Sequence, residues 1–118
     1  MIECIFCKII KRELPADIVY ENERVIVFKD IKPAAPIHLL IVPKKHIISM
    51  NNIEEDDQRL IGELFIVAKK VAEERGVLGS GYRLIINVGK DAGQRVDHLH
   101  LHLLGGGKLP EKLTKNNI

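Results

Sequence analysis

The sequence predicts a single α+β domain, a five-stranded antiparallel sheet carrying one long helix and one short N-terminal helix. Three observations predict it. Leu60, Ile61, Leu64, Phe65, Ala68, Val71 and Ala72 recur at three- and four-residue steps, the apolar stripe of an amphipathic helix. Five stretches rich in aliphatic and β-branched residues are separated by short polar or Gly- and Pro-bearing turns, and short connections make most neighbours antiparallel. His98, His100 and His102 alternate with leucines and run into Gly105-Gly106-Gly107. On a strand this puts the imidazoles on one face and the leucines on the other, whereas a helix would set His100 roughly opposite the other two.

In chain order, Ile5, Phe6, Ile9 and Ile10 suit a short helix with one apolar side, and Glu13-Leu14-Pro15-Ala16 is a turn. Ile18-Val19-Tyr20 and Arg24-Val25-Ile26-Val27-Phe28 form a hairpin about the polar Glu21-Asn22-Glu23. The two prolines of Asp30-Ile31-Lys32-Pro33-Ala34-Ala35-Pro36 exclude a central strand and predict an ordered loop. Ile37–Val42 is a third strand ended by Pro43, with His38 its odd residue. Asn51 or Asn52 is placed to cap the long helix. Glu54, Glu55, Asp56 and Asp57 sit at its positive end, Lys69, Lys70 and Arg75 near its negative end, and Gly76 stops it. Tyr82–Asn87 is a fourth strand, the loop Gly89–Gln94 follows, and the histidine stretch is the fifth strand, with a wet, reactive face and a buried one.

Composition narrows the class. A length of 118 residues is that of one domain, large enough for a core yet small enough to gain from a metal or a dimer. With 46% hydrophobic and 29% charged residues it reads as an ordinary globular chain. A net charge of +2 argues neither for nor against a nucleic-acid or membrane partner. No apolar run approaches spanning length and no basic-then-apolar leader opens the chain, so a cytoplasmic protein is expected. There, Cys4 and Cys7 point to a metal or redox role rather than a structural disulfide. The histidine stretch alone favours a working site, because chance is a poor account of so clean an alternation beside a glycine stop; a histidine-rich metal tract or three exposed imidazoles are the other readings.

The stretch His98-Leu99-His100-Leu101-His102-Leu103-Leu104 resembles the motif of the histidine triad (HIT) family, three histidines each followed by an apolar residue. Ile5-Phe6-Cys7-Lys8-Ile9-Ile10, Asp30-Ile31, Ala35-Pro36-Ile37-His38, Val42-Pro43-Lys44-Lys45-His46-Ile47 and Gly93-Gln94 resemble it at matching intervals. The nearest branch is that of the purine nucleoside phosphoramidases. The likeness implies a HIT-like domain over residues 1–107 and a C-terminal tail over 108–118. It also implies a purine nucleotide substrate and a homodimer with a joined sheet; neither nucleic acid nor a membrane is expected as a partner.

The same likeness assigns roles. His100 is expected to attack the α-phosphorus and form a nucleotidyl-histidine, a two-displacement route. A neutral imidazole, with an ordinary pKa of about 6.5, is competent for this at neutral pH. His102, with backbone N–H groups near Gly93 and Gln94, is expected to meet the phosphoryl charge and to protonate the leaving amine. No metal is required at the phosphate. His38 is expected to hydrogen-bond around His98 and hold the array, with a satisfied core histidine equally open. Asp30 corresponds to the acid that binds ribose, and Ile5, Phe6, Ile9, Leu14, Phe28 and Ile31 to the walls of the base pocket. Asn87, Gly93 and Gln94 correspond to phosphate and ribose contacts. Cys4 and Cys7 with His46 and His98 match a structural zinc site of four soft or borderline ligands; two buried thiols without metal is the other reading. The chain departs from the phosphoramidase branch it resembles at Arg95, where that branch has a small hydroxyl residue, and at Asp97, where it has an aromatic. It also lacks a C-terminal tryptophan found in some. Dinucleoside polyphosphate hydrolysis and a non-catalytic nucleotide- or zinc-binding module are the alternative functions.

Overall fold

The computed structural model describes residues 4–111, and the end of the expected tail lies outside them. Helix α1 (Ile5–Ile10) is followed by strands β1 (Ile18–Glu21), β2 (Val25–Lys29) and β3 (Ile37–Pro43), then helix α2 (Gln58–Glu74), β4 (Tyr82–Ile85) and β5 (Leu101–Gly105). The strands form one sheet in the order β1-β2-β3-β5-β4. Every pairing is antiparallel.

Alternation sorts the two faces of this sheet. Val25, Val27, Leu39, Ile41, Leu101 and Leu103 point to the face that α2 covers with Leu64, Val67, Ala68, Val71 and Ala72. Each such buried leucine contributes about 1.5–3 kcal/mol relative to an exposed one. On the opposite face Ile26, Phe28, Leu40 and Val42 pack under Phe6 of α1. The histidines belong to this second face, and it is covered rather than wet: His98 is fully buried and His100 and His102 nearly so.

Strand β5 is shorter than the alternation suggests. Its last partner on β3 is Ile41, opposite Leu101. Past that pair β3 ends in Pro43, which has no N–H to continue a ladder. The Leu99 N–H instead donates to the Ile47 carbonyl at 2.6 Å. The alternation of faces nevertheless continues through His98, because Leu99 still packs with the α2 cluster.

Two further differences are local. Asn51 and Asn52 do not cap α2; they lie in a separate 3-10 turn, Met50–Asn52, capped by the Ser49 hydroxyl. A second 3-10 turn, Glu55–Asp57, leads into α2, and the Asp57 carboxylate accepts from the Glu54 N–H. Strand β4 ends at Ile85, so Asn87 is released from the ladder. Gly106 closes β5 at φ +81°, where a side chain would also press on Pro36 and Ile37 at 3.2 Å.

Candidate active site

A cavity of about 350 Å³ opens on the histidine face. Its floor follows from sheet register: Phe28 lies opposite Leu40, and Leu40 opposite His102. Ile5, Phe6 and Ile9 of α1 overhang it. Asp30, Ile31 and Lys32 enter from the β2–β3 loop, and Asn87, Gly93, Arg95 and Val96 from the segments around β4 and β5. His38, His100 and His102 all line it. Thus Asp30, Ile31, Asn87, Gly93, Ile5, Phe6 and Phe28, which the sequence singles out, line one cavity with His38, His100 and His102. Pro15, Ala16, Leu40, Val96 and Lys29 complete the lining without any signal that set them apart from turn, core or surface residues.

Each histidine is oriented by a hydrogen bond. His100 Nδ1–H donates to the His98 carbonyl at 2.7 Å, which leaves the Nε2 lone pair free. Phe6 stands edge-on to the His100 ring with centroids 5.1 Å apart and confines it. His38 Nδ1 accepts the Ala34 N–H at 3.0 Å, so in the neutral ring Nε2 carries the hydrogen. That N–H donates to His102 Nδ1 at 2.9 Å, with Asp30 Oδ2 3.4 Å from the same nitrogen. His102 is therefore an acceptor at Nδ1 and keeps its own hydrogen on Nε2. His38 orients His102, not His98, which corrects the expectation.

Burial, the first cause in each case, lowers the pKa of all these rings. His102 falls to about 4, with His100 and His38 adding to the shift. Burial also holds His100 below the ordinary imidazole value, partly offset by its bond to the His98 carbonyl. In His38 burial outweighs the opposing pull of Asp30. Burial thus favours the neutral form of each ring.

Gln94 is placed otherwise than expected. It does not line the cavity; its amide donates to the Ile48 and Val96 carbonyls at 2.7 and 3.0 Å and accepts from the Gly89 N–H. The backbone N–H groups of Gly93 and Gln94 are also spent inside the loop, on Lys90 and Gly89 carbonyls. Leu14 likewise lies outside the lining. The Gly93 backbone at φ +84° explains its glycine by conformation, since no atom crowds it.

A second cluster lies beside the first. The Leu99–Ile47 backbone bond brings His46 next to His98, and Lys45 anchors this segment to the α2 entrance through Asp57 at 2.6 Å. Cys4 caps α1, its sulfur accepting the Cys7 N–H at 3.4 Å. Cys4 Sγ is 3.3 Å from His98 Nδ1, Cys7 Sγ 3.6 Å from it and 3.3 Å from His46 Nδ1, and the two Nδ1 atoms are 3.1 Å apart. His98 Nε2–H donates to the Pro43 carbonyl at 2.7 Å, so its Nδ1 presents a lone pair to the group. Four atoms bound at about 2.0–2.3 Å to one tetrahedral ion would be about 3.3–3.8 Å apart. The cluster is thus able to hold a metal ion, and its thiolate and imidazole donors suit zinc. Asp30, His38 and His102 also come together, but with the His38 Nδ1 lone pair taken by Ala34 N–H its Nε2 has no lone pair to give.

Comparison with known proteins gives concordant results. The family described as "Scavenger mRNA decapping enzyme C-term binding" matches residues 3–116. Over 116 residues, 98% of each chain, the sequence is 44% identical to the purine nucleoside phosphoramidase of Escherichia coli strain K12. A HIT family hydrolase from Clostridium thermocellum superposes with a TM-score of 0.92 at 53% identity, over 97% of this chain and 99% of that one. A HIT family hydrolase from Legionella pneumophila gives 0.91 at 48% identity, over 92% and 97%.

Proposed function

The chain belongs to the histidine triad family and is a hydrolase of it, and from that premise we propose that it cleaves the P–N bond of purine nucleoside phosphoramidates through a nucleotidyl intermediate on His100. The observation that carries this reading is the 2.7 Å bond from His100 Nδ1–H to the His98 carbonyl, which fixes the tautomer whose Nε2 can attack. The neutral state favoured by burial keeps that lone pair available at neutral pH.

The Nε2 lone pair of His100 bonds to the α-phosphorus, the P–N bond breaks with its electron pair on nitrogen, and the amine takes up one proton. Water then attacks phosphorus, the His100–phosphorus bond returns its pair to Nε2, and a proton is released with the nucleoside monophosphate. Two displacements replace one difficult step. His102 meets the developing phosphoryl charge through Nε2–H. A second proton on its Nδ1 would face the N–H of His38, so His102 serves as a hydrogen-bond donor, and the amine draws its proton from solvent at the cavity mouth. Such a donor, aimed where charge develops, is worth roughly a hundredfold to a thousandfold in rate. Asp30 accepts the Lys32 N–H through Oδ1, and the remaining lone pairs of its carboxylate suit the ribose hydroxyls. Ile5, Phe6, Phe28 and Ile31 form an apolar slot for the purine.

Zinc is the metal that fits Cys4, Cys7, His46 and His98. Held by these four residues, it would supply a structural tie between α1 and the entry to β5. The chain is read as a homodimer: β4 is an edge strand, and Phe65 and Ile66 of α2 stand 43% and 69% exposed. Residues 1–107 form the catalytic domain and 108–118 a tail. Two free thiols fit a reducing, cytoplasmic setting, and no described helix is long and apolar enough to cross a membrane.

The test is a panel of adenosine and guanosine phosphoramidates against diadenosine polyphosphates. Higher kcat/KM on the phosphoramidates supports the reading. Preference for the polyphosphates replaces it with dinucleoside polyphosphate hydrolysis, and AMP binding without turnover of any of them leaves a binding module.

A further inference from the structure

Arg95 reaches the cavity from the segment that leads into β5, on the opposite side of the sheet order from the apolar wall over β2. It lines the same space as His100 and His102, and its charge lies near enough to His102 to oppose protonation of that ring. It is exposed, and among the described residues no carboxylate pairs with it. The other cations at the rim are differently placed. Lys29 is 3.3 Å from Asp17, and Lys32 donates its backbone N–H to Asp30, on the ribose side. A guanidinium beside the reacting histidines with no partner among the described residues is a free fork of donors, and such a fork matches a carboxylate or phosphate in two parallel hydrogen bonds.

We infer that Arg95 forms a leaving-group subsite that selects phosphoramidates whose departing amine carries an anionic group, a carboxylate or a phosphate, a few atoms from the nitrogen. This rests on the phosphoramidase reading above. With the base between α1 and the β2–β3 floor and the phosphorus at His100, the amine is the part of the substrate left to face the Asn87–Arg95 side. A neutral or cationic amine there leaves the guanidinium to solvent or repels it; an anionic one engages it.

The experiment compares two adenylates that share the P–N bond and differ only in charge, adenosine 5′-phosphoryl-glycine and adenosine 5′-phosphoryl-glycinamide. The wild-type kcat/KM ratio should favour the glycine compound by about twofold to fivefold, the value of a solvent-accessible charge pair. Arg95→Gln should bring the ratio close to one, Arg95→Lys should restore part of it, and added salt should lower the wild-type ratio. The matched phosphoethanolamine and ethanolamine adenylates show whether phosphate is the preferred anion. An equal glycine-to-glycinamide ratio in wild type and Arg95→Gln overturns the inference, including the case in which Arg95 holds only the phosphoryl oxygens and both substrates suffer alike. Should the wild type cleave neither compound, the P–N reading itself fails. Calorimetric Kd values for the same pair then decide Arg95: tighter glycine binding that Arg95→Gln abolishes upholds the subsite, and equal binding in both proteins refutes it.

Discussion

Replacing His102 by glutamine should flatten the pH dependence of folding. The folded pKa of His102 lies at about 4, against 6.5 for an ordinary imidazole, with burial the first cause. As pH falls, the unfolded chain takes the proton first. The stabilisation is therefore complete above about pH 6.5 and is lost as pH falls from there toward 4. A gap of about 2.5 units corresponds to roughly 3 kcal/mol in all, of which about 2 kcal/mol is gone between pH 7 and pH 5. Urea unfolding of wild type and His102→Gln at both pH values reads this share together with its coupling to His38 and His100, since the remaining groups contribute to both proteins. The variant should lose about 2 kcal/mol less than wild type over that interval. Equal losses would refute the claim that His102 is held neutral, and with it the assignment of His102 as a fixed Nε2–H donor.

Three further outcomes follow from the geometry. Because a neutral donor suffices at His102, His102→Gln should retain more turnover than His102→Ala, which should fall by about a hundredfold or more; equal rates in the two variants would speak for an obligatory proton donor. The double variant Cys4→Ser, Cys7→Ser should lose about one zinc per chain by elemental analysis and unfold at lower temperature. Wild-type protein purified without any metal would contradict that. Ile66→Glu places a charge on the exposed apolar strip of α2 and should shift the protein to monomer in sedimentation; an unchanged mass would place the interface elsewhere.

Much of this was legible because it depends on periodicity. The 3.6-residue stripe of α2 and the leucines that alternate with the histidines each mark one buried face and meet in one cluster, whereas the histidine face, expected to be wet, is covered as well. The limits of β5 were not legible, since they depend on Pro43 ending the partner strand and on Leu99 turning to Ile47. The helix cap was misread for a similar reason. Asn51 and Asn52 have the right chemistry for a cap, but the chain makes two 3-10 turns before α2 begins. At the site, residue type and family likeness brought together the histidines, Asp30 and the apolar wall. They failed at Gln94, whose amide is taken up by Gly89 and Val96 nearby and by the distant Ile48, and at His38, whose partner depends on strand register. Arg95 was visible as a departure, but only the fold shows it sharing the cavity with His100.

The central claim is that His100 is the nucleophile. Rapid quenching of wild-type protein with adenosine phosphoramidate, followed by peptide mass spectrometry, measures it directly. An adenylyl group on the peptide bearing His100, absent in His100→Ala while AMP binding persists, is the predicted result. Adenylylation at another residue, or undiminished turnover in His100→Ala, would contradict it.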